Sequence, residues 1–98
     1  MRDSILKSVD KVGRLSVPKD LRELACISEN TTVAMCKKDS SNGVMLKLLC
    51  NIKDCKIIAI TKFDEKGRFV YPKNLLEDYE QIFDIYVLNG DIHIEEIE

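Results

Sequence analysis

Arg14 and Arg68 each follow a glycine by one residue and an aspartate by four, in Asp10-Lys11-Val12-Gly13-Arg14 and Asp64-Glu65-Lys66-Gly67-Arg68. A guanidinium at such a spot serves one of two chemistries. It pairs with its own aspartate across the turn, or it turns outward and forks onto a phosphate or a guanine edge. The two roles can coexist. Further cations lie close by in sequence: Lys7, Lys11, Lys19 and Arg22 around the first site, and Lys62, Lys66 and Lys73 around the second. These nine side chains are the candidate DNA-contacting set. A run of charge on a small domain is by itself only a solvated face, so the nine gain weight from their pattern rather than their number.

No other group of residues offers a reaction. The single histidine, His93, lies in the alternating run Ile92-His93-Ile94, which puts it on the solvent side of a strand. The four cysteines, Cys26, Cys36, Cys50 and Cys55, all fall in residues 26–55. Cys50 and Cys55 stand at the loose edge of zinc-knuckle spacing, and Cys26 and Cys36 form no second knuckle. Reduced thiols packing as small hydrophobes are expected instead. There is no nucleophile elbow and no phosphate loop. No catalytic residue, metal or cofactor is expected, and no enzymatic activity.

Composition sets the remaining limits. The chain has 98 residues, 45% hydrophobic and 33% charged, the balance of one small globular core. The longest apolar runs, such as Ile57-Ile58-Ala59-Ile60, fall far short of the roughly 20 residues that span a bilayer. Met1-Arg2-Asp3-Ser4, followed by Ile5-Leu6 and then Lys7, has no apolar leader core, so a cytoplasmic location is expected, nucleoid-associated if the nine cations contact DNA. Net charge is −2, but unevenly spread: residues 1–54 hold ten basic and seven acidic side chains (+3), and residues 55–98 hold five and ten (−5).

The two arginine sites belong to an internal repeat. Laying Val9–Ala25 over Phe63–Tyr79 gives seven identities in seventeen positions, where chance gives roughly one. The shared pattern is D-x-x-G-R-x-x-x-P-K-x-L, and Asn42-Gly43 answers Asn89-Gly90 further on. Each copy reads as strand, turn, short strand, short helix and hairpin. The first strands are Ser4–Val9 and Lys56–Phe63, the second Arg14–Val17 and Arg68–Tyr71. Pro18 and Pro72 are expected at the first helical position. Leu21, Leu24 and Ala25 form the buried stripe of one helix, and Leu75, Leu76 and Tyr79 that of the other. The hairpins are Thr32–Cys36 with Val44–Leu49 around Ser41-Asn42-Gly43, and Asp84–Leu88 with Asp91–Ile97 around Asn89-Gly90. One such β-β-α-β-β unit cannot bury a core alone. Two can, by exchanging hairpins into one intertwined, mostly β barrel with two short helices. Residues 1–50 form one half, 51–98 the other, and Cys50–Cys55 the linker.

The stretch from Lys7 to Leu24 resembles the SpoVT/AbrB family of swapped-hairpin DNA-binding domains, whose double-psi barrel matches this expectation. The second copy looks like a more divergent version, and the tandem arrangement is similar to that of the MraZ family, whose chains are longer. The resemblance implies a sequence-specific DNA-binding transcription regulator of prokaryotic type, with double-stranded DNA as partner and a homo-oligomer, dimer or higher, as its state. It places DNA contacts on Lys7, Arg14 and Arg22. A further arginine of the family pattern falls on Glu23. The matching positions of the second copy are Thr61, Arg68, Leu76 and Glu77, of which only Arg68 is basic. The alternative is a protein–protein module, antitoxin-like or a scaffold, that kept the fold and lost DNA, with its partner on the acidic second half.

Overall fold

The computed structural model describes residues 4–38, 43–52, 55–76 and 81–97. These residues are mostly β, with one α-helix among them. In chain order the elements are β1 (Ser4–Ser8), β2 (Arg14–Ser16), α1 (Lys19–Leu24), β3 (Thr32–Lys37), β4 (Gly43–Leu48), β5 (Ile57–Lys62), β6 (Arg68–Val70), β7 (Ile82–Leu88) and β8 (Asp91–Ile97). Short 3-10 turns occupy Leu49–Asn51 and Lys73–Leu75.

Six strands form one open antiparallel sheet in the order β1-β7-β8-β4-β3-β5, and β2 pairs with β6 in a separate ribbon. Exchanging β1 with β5, β3 with β7 and β4 with β8 leaves the sheet order unchanged. β1 pairs with β7 and β5 with β3, so the opening strand of each repeat is held by the hairpin of the other repeat. Registers agree up to a bulge at Met35/Cys36: Ile5 lies opposite Ile85, which faces Ile94, and Ala59 lies opposite Met35, which faces Leu46. These pairings are made within one chain.

The alternation of apolar and polar residues decides which face is buried. Val33, Met35, Val44, Leu46, Phe83, Ile85, Ile92 and Ile94 point from the sheet into the core. Leu15 and Phe69, opposite each other in the ribbon, close it from the other side at 0% and 2% exposure. Phe63, Phe69, Tyr71 and Phe83 form a chain of rings at centroid distances of 5.4, 6.4 and 4.8 Å, geometries that add to plain area burial.

Several sequence expectations need correction. Among the described residues only the first repeat makes an α-helix; the second makes the 3-10 turn Lys73–Leu75. Leu21 and Ala25, one turn apart, anchor α1 in the core, and Asp20 in its first turn suits the helix dipole. At the second site Asn74 replaces that acid, Leu75 and Leu76 are only half-buried, and Leu76 is already extended. Tyr79 lies outside the described residues. Pro18 and Pro72 are cap residues rather than first helical ones: Pro18 has ψ 149° and Pro72 ψ 127°. Leu24 is 63% exposed, on the flank of a helix too short to bury more than the Leu21–Ala25 stripe.

His93 does not face solvent. It is 8% exposed, because Tyr86 and Met45 flank it in register across the sheet and the Tyr86 ring stacks on it at 4.9 Å. Gly43 opens β4 rather than forming a turn, and a Cβ there would meet Ile94 O at 2.7 Å. Ser41 and Asn42 lie outside the described residues. Asn89-Gly90 behaves as its sequence says, with φ of 54° and 81°, the left-handed pair of a tight hairpin turn. Most expected strands end a residue early, while β7 starts at Ile82.

Candidate nucleic-acid interface

The two D-x-x-G-R turns are built alike. The Asp10 carboxylate accepts the N–H groups of Val12 and Arg14 on Oδ1 at 3.0 and 2.9 Å, and the Arg14 Nε on Oδ2 at 2.8 Å. Asp64 does the same with Lys66, Arg68 and the Arg68 Nε, each at 2.9 Å. The glycine N–H donates back to the aspartate carbonyl at 3.0 Å in both turns. Gly13 and Gly67 take φ of 92° and 78°, where any Cβ is strained. So Asp for its two acceptor oxygens and Gly for its backbone are what this turn requires.

Both carboxyls are held below the ordinary aspartate range. The leading cause is the backbone N–H of Arg14 for Asp10 and of Arg68 for Asp64, against which burial pushes upward. The guanidinium is thereby oriented at one nitrogen only. Among the described residues the Nη groups of Arg14 and Arg68 make no further hydrogen bond, and the two side chains are 32% and 24% exposed.

The ribbon then brings the arginines together. Arg14 lies opposite Val70 and Ser16 opposite Arg68. Since Leu15 and Phe69 point inward, Arg14 and Arg68 share the outer face as diagonal neighbours, about 7–8 Å apart. Two cross-bonds lengthen the ribbon, from Val17 N–H to Gly67 O at 2.9 Å and from Tyr71 N–H to Gly13 O at 3.0 Å. Each turn is therefore tied to the strand end that leads into the other half's helical segment.

The remaining candidates are spread around this centre. Lys11 and Lys66 are exposed in the two turns, and Lys73 is exposed in the 3-10 turn. Lys19 is 80% exposed at the start of α1, with Glu23 at 4.0 Å, a pair worth little at such exposure. Lys7 and Lys62 are exposed on β1 and β5, the strands at the two ends of the sheet order. Arg22 differs from the rest. It is half-buried, and its Nε donates to Val17 O at 3.0 Å. Residues 10–22 and 64–73 together carry seven basic and four acidic side chains, a local +3 within a chain of −2.

A second polar cluster, on the outer face of the large sheet, was not legible in the sequence. Lys38 Nζ donates to Tyr86 Oη and Glu95 Oε2, each at 3.1 Å, and Tyr86 Oη donates to Glu95 Oε1 at 2.8 Å. Lys47 pairs with Asp91 at 3.1 Å, and that hydrogen bond raises the lysine pKa. His93 beside them is pushed down, first by burial and then by the Lys38 charge. Burial and the neighbouring Cys55 push the Cys36 thiol up to about 11, so it is not a ready nucleophile. None of the four cysteines forms a disulfide. Among the described residues no three His, Cys, Asp or Glu side chains are placed to hold a metal ion, and no helix is long and apolar enough to cross a membrane. Glu77, Asp78, Glu80 and Glu98, much of the acidic second half, lie outside the described residues.

No protein-family model, curated protein or solved structure matches this chain.

Proposed function

We propose that the chain is a DNA-binding protein of the SpoVT/AbrB kind, a transcription regulator whose contact face is the outer side of the β2–β6 ribbon. One observation carries this reading: Arg14 and Arg68 stand on that face as diagonal neighbours, each fixed at Nε by its aspartate and each partly exposed. A guanidinium set in this way has lost part of its rotamer entropy before DNA arrives. Its Nη groups suit a phosphate oxygen or a guanine edge. The exposed Lys11, Lys66, Lys19 and Lys73 add phosphate contacts that position the duplex. With so few base contacts, selectivity draws on DNA shape and deformability as well. Occupying a promoter is then sufficient for repression.

The strand exchange supports the swapped-hairpin barrel of two tandem halves. β1 is held by β7 and β5 by β3, in registers that match up to the bulge at Met35/Cys36. Such an exchange lets two units, each too small to fold alone, share one core.

The test is a titration of isotope-labelled protein with a 20-base-pair duplex of random sequence. The expected result is amide shift changes concentrated in residues 10–19 and 64–73. Changes confined to the large sheet, or none, would overturn the proposal. The second reading, a protein–protein module, rests on Leu6, Ile82 and Ile97. These are 62%, 46% and 43% exposed and lie on the outer face at the β1–β7–β8 end of the sheet. Concentration-dependent sedimentation that Ile82→Lys abolishes would favour self-association there.

A further inference from the structure

Arg22 is fixed along its whole length. Its backbone N–H donates to Pro18 O at 3.1 Å, and its carbonyl accepts from Ile27 N–H at 2.8 Å. Its Nε donates to Val17 O at 3.0 Å, while the N–H of that same Val17 donates to Gly67 O at 2.9 Å. A Cβ on Gly67 would lie 2.7 Å from Arg22 Cζ and Nη2 and 2.9 Å from Nε. Near-equal approach by three atoms of one plane means that the guanidinium lies face-on against Gly67. The first half's helix thus reaches over the second half's turn.

Among the described residues no side chain lies over the Gly13 turn as Arg22 lies over Gly67. A Cβ on Gly13 would meet no atom within 4 Å. The residue that the repeat aligns with Arg22 is Leu76, whose side chain has no donor to offer.

We propose that Arg22 is a positioning residue rather than a DNA contact: it clamps the Gly67 turn from across the halves and so presets Arg68, leaving Arg14 on an unclamped turn. The clamp stands on the geometry above; its consequence for DNA rests on the proposed function. With Arg68 held and Arg14 freer, the two arginines are unequal readers. The held one meets the duplex in a fixed pose, and the other adapts to it.

Amide hydrogen exchange of the full chain reads the clamp directly. In Arg22→Ala the Val17 amide, bonded to Gly67 O, is expected to exchange about tenfold faster, as a local opening would allow. The Tyr71 amide, bonded to Gly13 O, is expected to keep its rate. The milder Arg22→Lys, which keeps the charge and loses the plane, is expected to behave like Arg22→Ala, and it serves alone should the alanine variant not fold. Gly67→Ala should raise the unfolding constant about tenfold more in the wild-type background than in either Arg22 variant, as for groups in contact. Equal effects on Val17 and Tyr71, or additive Gly67 and Arg22 effects, would overturn the clamp.

Duplex binding separates this from the functional reading. Both Arg22 variants should weaken binding without changing the slope of log affinity against log salt, whereas Arg68→Ala should lower that slope by about 0.9. An Arg22 variant that lowers the slope as Arg68→Ala does, with Val17 still protected, would make Arg22 a direct contact and sink the inference. Wild-type protein that binds no duplex would overturn the functional reading, and the exchange data would still decide the clamp.

Discussion

The turn before β2 and the turn before β6 have the same internal bonds to within 0.1 Å at corresponding atoms, yet they sit in different surroundings. The first leads through Pro18 into a six-residue helix that buries Leu21 and sends Arg22 across to the other half. The second leads through Pro72 into one 3-10 turn that buries no side chain fully. The comparison separates two levels of cause. An Asp, a Gly and an Arg at fixed spacing are enough to build the turn wherever it occurs. What each turn faces depends on the helical segment of the other copy, where Arg22 and Leu76 have diverged.

The largest effect should come from the inner side of the ribbon. Phe69→Ala is expected to cost about 4 kcal/mol and Leu15→Ala about 3 kcal/mol in denaturant unfolding. Phe69 holds Phe63 and Tyr71 in the ring chain, while Leu15 fills the same layer with a smaller side chain. A larger loss at Leu15 would mean that the first half carries the core. Next come the helical segments. Leu21→Ala, at a buried site, should cost about 3 kcal/mol, and Leu75→Ala, at a half-buried one, about 1 kcal/mol. Equal losses would break the contrast between helix and 3-10 turn.

The smallest effect is on pH dependence, and there the halves should agree. The Asp10 and Asp64 carboxyls are lowered in the folded protein from an ordinary value of 3.8. A lowered acid contributes stability that is fully present above that ordinary value and is lost as pH falls through the lower, folded value. Stability should therefore decline as acid is added below about pH 4. Asp10→Asn and Asp64→Asn should each flatten that decline to the same degree. Unequal flattening would show that the clamp reaches the carboxylate as well as the glycine.

Much of this was legible in the sequence because it is local. The turns, the arginine–aspartate pairs across them, the Asn89-Gly90 hairpin and the strand locations follow from residue types a few positions apart. What was not legible depends on cross-strand partners. His93 reads as a solvent position by alternation, but Tyr86 stacks over it from the neighbouring strand. Lys38, Tyr86 and Glu95 meet only once β3, β7 and β8 are in register. The second helix was inferred from shared Pro, Lys and Leu residues, yet its formation depends on buried anchors one turn apart, and Leu75 and Leu76 are only half-buried. Arg22 was legible as basic but not as a clamp, because its target is Gly67, 45 positions away.

The central claim is that the outer face of the β2–β6 ribbon contacts DNA. It is tested most directly by fluorescence-anisotropy binding to pools of AT-rich and GC-rich duplexes at low and moderate salt, with the wild type beside Arg14→Ala/Arg68→Ala. The account predicts binding that weakens steeply with salt, and a double variant that stays folded but loses at least about tenfold in affinity, with a slope lower by up to about 1.8. Folded wild-type protein that binds neither pool at low salt, or a double variant that binds as well as the wild type, would contradict it.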